Sequence, residues 1–137
     1  MYNAFATADI AGTKGSTRLH MDMADAVNIM LHCERCPDGE EGFASWDLYH
    51  PRDASKLRHF LNEEFPQADP LHLKDPIHSQ QFYLDHRLRQ KLQERYGVSS
   101  FRIYQKKGQA IFIPAGCAHQ VTDSTLTLTL LNALSGP

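Results

Sequence analysis

His20 and Asp22 place an imidazole and a carboxylate two positions apart, in a stretch, Thr17-Arg18-Leu19-His20-Met21-Asp22, that reads as a β-strand. Side chains at i and i+2 of a strand point to one face, with α-carbons ~7 Å apart. The pair can therefore close on one metal ion. A third ligand has to come from elsewhere, and His119, in Ala115-Gly116-Cys117-Ala118-His119-Gln120-Val121, is the best candidate. Two imidazoles and one carboxylate on one face of a metal, with the opposite face open, suit non-haem Fe(II) that must also bind oxygen. A keto acid can chelate two of the free positions and dioxygen can take the remaining one. Neutral imidazole and ionised carboxylate both exist at pH 7, so such a site needs no unusual pKa. An isolated H-x-D is also how any surface His and Asp two apart would look, so the surroundings have to carry the reading.

Other reactive side chains fit that chemistry less well. Cys33 and Cys36 form a single C-x-x-C beside His32. A tetrahedral zinc site needs two more ligands and the chain has no second C-x-x-C, so these read as free thiols at a strand end. Cys117 reads as a small packed side chain. Asn28 stands inside the apolar run 25–33 and needs a hydrogen-bond partner if buried; the functional alternative is a donor to a bound acid or substrate. His72 and His78 have no partner at ligand spacing and read as solvated.

The frame for these groups is mostly β. Residues 1–16 are small or polar and read as a loop or weak strand feeding the motif. The spacing predicts strands over 17–22, 25–33, 43–49 and 101–105, a buried strand over 110–113, and strands over 119–121 and 125–130. Pro51-Arg52-Asp53 opens a helix in which Leu57, Phe60, Leu61 and Phe65 keep helical spacing, and Pro66 ends it. Asp85 caps a second helix, with Leu88, Leu92 and Tyr96 four apart, Gly97 after its end, and Arg87, Arg89, Lys91 and Arg95 as its solvated face. Pro114 and Gly116 make a corner that can aim His119 inward. Short strands with two inserted helices predict a small β-barrel or sandwich decorated by helices, in one domain. A net charge of −2 argues against a fold that grips nucleic acid through phosphates, and no apolar run is long enough to span a bilayer. Three cysteines make no disulfide framework. These features predict a cytosolic or nuclear protein.

Five blocks in order carry a resemblance: GSTRLHMDMADAVNIM at 15–30, WDLYHPRDASKLRHFL at 46–61, DPIHSQQFYLD at 75–85, YGVSSFRIYQ at 96–105 and AIFIPAGCAHQV at 110–121. Together they resemble the JmjC domain, and within it the hairless-like group of histone lysine demethylases acting on the ninth-position lysine of histone H3. The resemblance covers residues 2–121. It implies a mainly β, double-stranded β-helix, a jelly-roll or cupin-like core with inserted helices. It also implies an Fe(II)- and 2-oxoglutarate-dependent dioxygenase with His20, Asp22 and His119 as iron ligands. Thr17 matches a hydroxyl that hydrogen-bonds 2-oxoglutarate in related enzymes, Asn28 an amide near the cosubstrate, and Trp46 the aromatic after the cosubstrate strand. The implied chemistry is oxidative: an N-methyl group of lysine is hydroxylated and leaves as formaldehyde. The implied partners are a methylated histone H3 tail and chromatin, with no membrane and no strong nucleic-acid binding, and the implied location is the nucleus.

The match departs from the family in two places. Many JmjC enzymes anchor the far carboxylate of 2-oxoglutarate with a lysine two residues before the Trp, where this chain has Ala44. Hairless-like relatives carry a lysine on the strand after the last His, about where Thr129 stands. Lys14, Arg102, Lys106 or Lys107 are the substitutes the sequence offers. The tail 122–137 diverges, and the chain reads as a single partial JmjC domain cut short at both ends. Two other functions share the same residues: a catalytically inactive JmjC-fold chromatin-binding protein, motivated by the missing cation, and a JmjC hydroxylase of protein side chains. Phe82, Tyr83 and Tyr104 are candidates for an aromatic methyl-lysine cage, with core packing as their other use.

Overall fold

A computed structural model describes residues 17–66 and 75–124 in full and the backbone of two further strands, 2–5 and 127–134. Lys14 and His72 lie outside the described residues. The fold is the mainly β jelly roll that the sequence predicts, built from two four-stranded antiparallel sheets. In chain order the strands are β1 (Tyr2–Phe5), β2 (Thr17–His20), β3 (Asp25–Cys33), β4 (Ala44–Leu48), β5 (Phe101–Gln105), β6 (Ala110–Ile113), β7 (His119–Asp123) and β8 (Thr127–Leu134). One sheet has the order β1-β8-β3-β6 and the other β2-β7-β4-β5. Helices α1 (Ala54–Glu64) and α2 (His86–Tyr96) lie between β4 and β5 in sequence.

Strand alternation divides the apolar residues into two cores. Ala26 and Met30 of β3 and Ile111 and Ile113 of β6 meet Ala44, Trp46 and Leu48 of β4, Val121 of β7 and Cys117 between the two sheets. The opposite face of the second sheet sends Leu19, Met21, Tyr49 and Ala118 against Leu57, Phe60 and Leu61 of α1 and Leu92 of α2. The three α1 residues are fully buried, each contributing ~1.5–3 kcal/mol of apolar burial. The helices are thus a second layer that stiffens the sheet carrying His20 and His119.

Helix boundaries follow the predicted signals. A 3-10 turn at Pro51–Asp53 leads into α1, and the Phe65 N–H returns to the Leu61 carbonyl before Pro66. The Leu88 N–H donates to Asp85 Oδ1 at the start of α2, and Gly97 closes it at φ 65°.

Four expectations need correction. The predicted strand over 17–22 ends at His20, so Asp22 sits in the connection beyond it. The strand at 110–113 is not buried throughout: Ile111 and Ile113 point inward while Phe112 is 70% exposed, because β6 is an edge strand with one open face. Arg89, Lys91 and Arg95 are not a free solvated face. Arg89 Nη1 donates to Asp47 and to the Leu84 carbonyl, Lys91 pairs with Glu64, and Arg95 with Glu63 and Glu64, which ties α2 to α1 and to the sheet. His78 is not simply solvated either, since its Nδ1 lies 2.8 Å from Asp75 Oδ2, a carboxylate that also takes both Arg58 donors.

Candidate metal centre

β2 and β7 are hydrogen-bonded neighbours, and His20 stands directly opposite His119 in their register. Their ring centroids are 4.1 Å apart. The ligand atoms of His20, Asp22 and His119 all lie within 4.8 Å of one another, the spacing of groups that can share one cation. The three residues that the sequence singles out from two distant segments are therefore brought together.

Two contacts fasten the segments. The Gly116 N–H donates to the Asp22 carbonyl at 2.9 Å, and the Ala115 N–H to Asp25 Oδ1 at 2.7 Å. The corner before β7 is pinned in this way onto the connection that carries Asp22. Gly116 holds it at φ 76°, a left-handed conformation that glycine adopts without a Cβ penalty.

Both imidazoles are aimed in the same way. His20 Nδ1 lies 2.8 Å from the Arg18 carbonyl and His119 Nδ1 2.9 Å from the Cys117 carbonyl. A carbonyl only accepts, so each Nδ1 carries the proton, and each Nε2 lone pair is left for a metal. His119 is 2% exposed. Its burial, and next the adjacent His20 ring, push its pKa down to about 4, so it is neutral at pH 7 as a ligand must be. The Trp46 ring stacks behind it at 6.0 Å.

Thr17 lies three residues before His20, which plain alternation would put on the opposite face. A bulge corrects this. Thr17 pairs with Val121 and His20 with His119, so three residues of β2 span two of β7. Val121 and His119 share the inner face, and their partners Thr17 and His20 share it with them. Thr17 is exposed.

Asn28 is 6% exposed and lies on the inner face of β3 between Ala26 and Met30. Its partner is Gln105, which the sequence reading did not single out. Gln105 Nε2 donates to Asn28 Oδ1 at 3.2 Å, to the Asn28 carbonyl and to the Gln109 carbonyl, while its Oε1 accepts from Trp46 Nε1 at 2.9 Å. Its sequence signals are its place as the polar end of the alternating run Phe101–Gln105 and as the last residue of the block at 96–105.

The outer face of the same strands carries a second polar cluster the sequence did not announce. Asp47, 1% exposed, accepts from Arg102 Nε and Nη2, Arg89, Ser100 and Gln120. Burial alone would raise its pKa, but the Arg102, Gln120 and Ser100 hydrogen bonds and the Arg89 charge outweigh it and hold the carboxyl below its ordinary value. Gln120, next to His119, is clamped by Asp47 and by both backbone groups of Leu84.

Among the described residues, the substitutes for the missing cation lie at the surface. Arg102 is bound to Asp47 on the outer face, and the Lys106 ammonium lies 3.6 Å from Glu41 on the surface. Lys107 is exposed in the β5–β6 turn. Ala44 is buried between the sheets, and Thr129 pairs with Met30 along β8, its side chain outside the described residues. Among the described residues no Lys or Arg is buried. Of the cage candidates, Phe82 stacks on Phe65 at 4.5 Å in the helix-side core and Tyr83 hydrogen-bonds Thr122, whereas Tyr104 is 56% exposed, edge-on to Phe43.

A double-sheet jelly roll with two imidazoles and a carboxylate converging on its inner face defines a class. The model of the JmjC domain family, described as a hydroxylase, matches residues 10–130, and the chain belongs to that family. Among curated relatives it is 39% identical over 156 residues to Lysine-specific demethylase 3 of Drosophila melanogaster. It is 37% identical over 153 residues to Lysine-specific demethylase 3A of Homo sapiens. Each alignment takes in 88% of this chain but only 18% and 12% of the two relatives, so the chain spans less than a fifth of their length.

Proposed function

We propose that the chain is the metal-binding part of an Fe(II)- and 2-oxoglutarate-dependent dioxygenase that removes methyl groups from lysine of the histone H3 tail, of the ninth-position type, in the nucleus. The observation that carries this reading is the convergence of His20, Asp22 and His119 within 4.8 Å. The relatives, lysine-specific demethylases by name, supply methylated lysine as the substrate group, and the histone H3 tail and its ninth position come from the resemblance alone. The donor set fits ferrous iron: two neutral imidazoles with Nε2 free and one carboxylate. Bound iron with 2-oxoglutarate and O₂ would supply the oxidising power for hydroxylating an N-methyl C–H bond.

This chain's residues have other tasks. The Arg18 and Cys117 carbonyls orient the imidazoles. The apolar core between the sheets keeps water from the inner side of the site. Thr17, on the face of His20, and Asn28, on the inner face of β3, are the polar groups in this reading that hold the cosubstrate. Ala44 offers no cation for its far carboxylate, and since no Lys or Arg is buried among the described residues, this reading gives that end to neutral donors.

Protein loaded anaerobically with Fe(II) and 2-oxoglutarate should show a metal-to-ligand charge-transfer band, and His20→Ala should lose it. Absence of the band in the wild type would remove the dioxygenase reading. A methylated H3 peptide should then lose about 14 Da per methyl group, whereas a protein hydroxylase would add about 16 Da to its product. The lack of a buried Lys or Arg among the described residues favours a second reading, a JmjC-fold chromatin-binding protein without turnover. Release of succinate and formaldehyde from the methylated peptide excludes it.

A further inference from the structure

Side-chain amides present an oxygen and a nitrogen of nearly equal size, so which end faces a ligand has to be settled by the hydrogen-bond network. Here a single indole settles it. Trp46 Nε1 can only donate. It meets Gln105 Oε1 at 2.9 Å, which fixes Gln105 with its oxygen toward the indole. The Gln105 Nε2 protons then lie on the other branch and are shared among the Asn28 carbonyl, Asn28 Oδ1 and the Gln109 carbonyl at 3.1, 3.2 and 3.0 Å. Asn28 in turn must give its oxygen to Gln105. Its remaining polar group, Nδ2, is a donor directed away from Gln105, on the inner face that Asn28 shares with Ala26 and Met30.

Burial makes this polarity rigid. Gln105 is 1%, Trp46 3% and Asn28 6% exposed. Flipping either amide would set donor against donor or acceptor against acceptor in a dry place, which costs more than the lost bond alone. The two residues also come from different sheets: Asn28 is in a central strand of one, Gln105 in the edge strand of the other. The relay therefore spans the jelly roll and ends on the indole stacked behind His119.

We propose that Gln105 is a positioning residue: by taking the Trp46 indole proton and donating to Asn28, it fixes Asn28 as a hydrogen-bond donor to the jelly-roll interior and so selects a carboxylate or carbonyl oxygen as the ligand group beside it. The inference rests on the proposed function for naming 2-oxoglutarate as that ligand. A neutral donor of fixed sense binds an oxyanion without a buried cation, which matches an interior in which, among the described residues, no Lys or Arg is buried.

The test uses zinc-loaded protein, 2-oxoglutarate and nitrogen-15 NMR with calorimetry. The chain has a single Trp, so its indole N–H gives one resonance. In the wild type that proton should be protected from exchange, and added 2-oxoglutarate should shift the Asn28 side-chain amide. An Asn28 amide that ignores the ligand overturns the inference, with no variant required. Gln105→Met should abolish indole protection and weaken 2-oxoglutarate binding roughly tenfold, the usual weight of one hydrogen bond to a charged group. Its zinc affinity should stay within about twofold. Because Gln105 acts through Asn28, the Asn28→Ala/Gln105→Met double variant should bind no more weakly than Asn28→Ala. Additive losses would overturn the inference by making Gln105 an independent, merely structural contributor. If the zinc-loaded wild type binds no 2-oxoglutarate, the proposed function fails, and ligand selection by Gln105 falls with it. If it binds and Gln105→Met binds equally well, the inference alone falls.

Discussion

Asp47 faces away from the side of its strand that carries the candidate metal centre, yet its removal should be felt there. It stands opposite Gln120 in the β4–β7 register, and Gln120 is the neighbour of His119. Asp47→Ala takes one carboxylate from Arg102, Arg89, Ser100 and Gln120. Breaking a fully buried ion pair by deleting one partner costs about 3–5 kcal/mol. Two features place this case at the lower end. The Arg102 and Arg89 side chains are 36% and 19% exposed, so both reach water. Arg89 and Gln120 each keep the Leu84 carbonyl as acceptor. The expected loss is therefore about 3 kcal/mol, or about 10 °C in Tm for a domain of this size. Urea unfolding of the metal-free protein measures it. Asp47→Asn adds a pH signature. The Asp47 pKa is lower in the folded state than its ordinary 3.8, so its charge stabilises the fold above that pH. This contribution drains away as pH falls below about 4 toward the folded value. The stability gap between the wild type and Asp47→Asn should accordingly narrow on acidification. A loss under about 1 kcal/mol for Asp47→Ala, or a gap that widens in acid, would refute the reasoning.

Two further substitutions test the frame. Gly116→Ala forces a side chain into φ 76° with open space around it, so the cost is conformational, about 1–2 kcal/mol, and Co(II) titration should show weaker metal retention as the corner lifts from the Asp22 carbonyl; unchanged stability and metal affinity would show that the corner does not set the ligand geometry. Phe60→Ala removes a fully buried ring from the core between α1 and the sheet and should cost about 3–5 kcal/mol in urea unfolding, with a smaller loss meaning that the helix layer is not what stiffens β2 and β7.

Much of this protein was legible one residue at a time. Apolar spacing located β3 and both helices, because the 2- and 3.6-residue periods are local properties of the chain. The Asp85 cap and the Gly97 stop follow from side chains acting on backbone groups a few positions away. His20, Asp22 and His119 were visible as ligand types, and the five ordered blocks pointed to the family whose model the chain matches.

What only the tertiary structure decided is the sense in which those residues face. The bulge that returns Thr17 to the side of His20 exists because three residues of β2 oppose two of β7, and strand pairing is invisible in either strand alone. Arg89 and Arg102 look like surface charges until Asp47, between them in space and far from both in sequence, draws them onto the outer face of the sheet. The donor end of Asn28 is set by an indole on another sheet, through a glutamine whose partners Trp46 and Asn28 are far from it in sequence. Composition and spacing supply the chemical groups, but hydrogen-bond polarity and facing depend on partners that folding alone brings within ~3 Å.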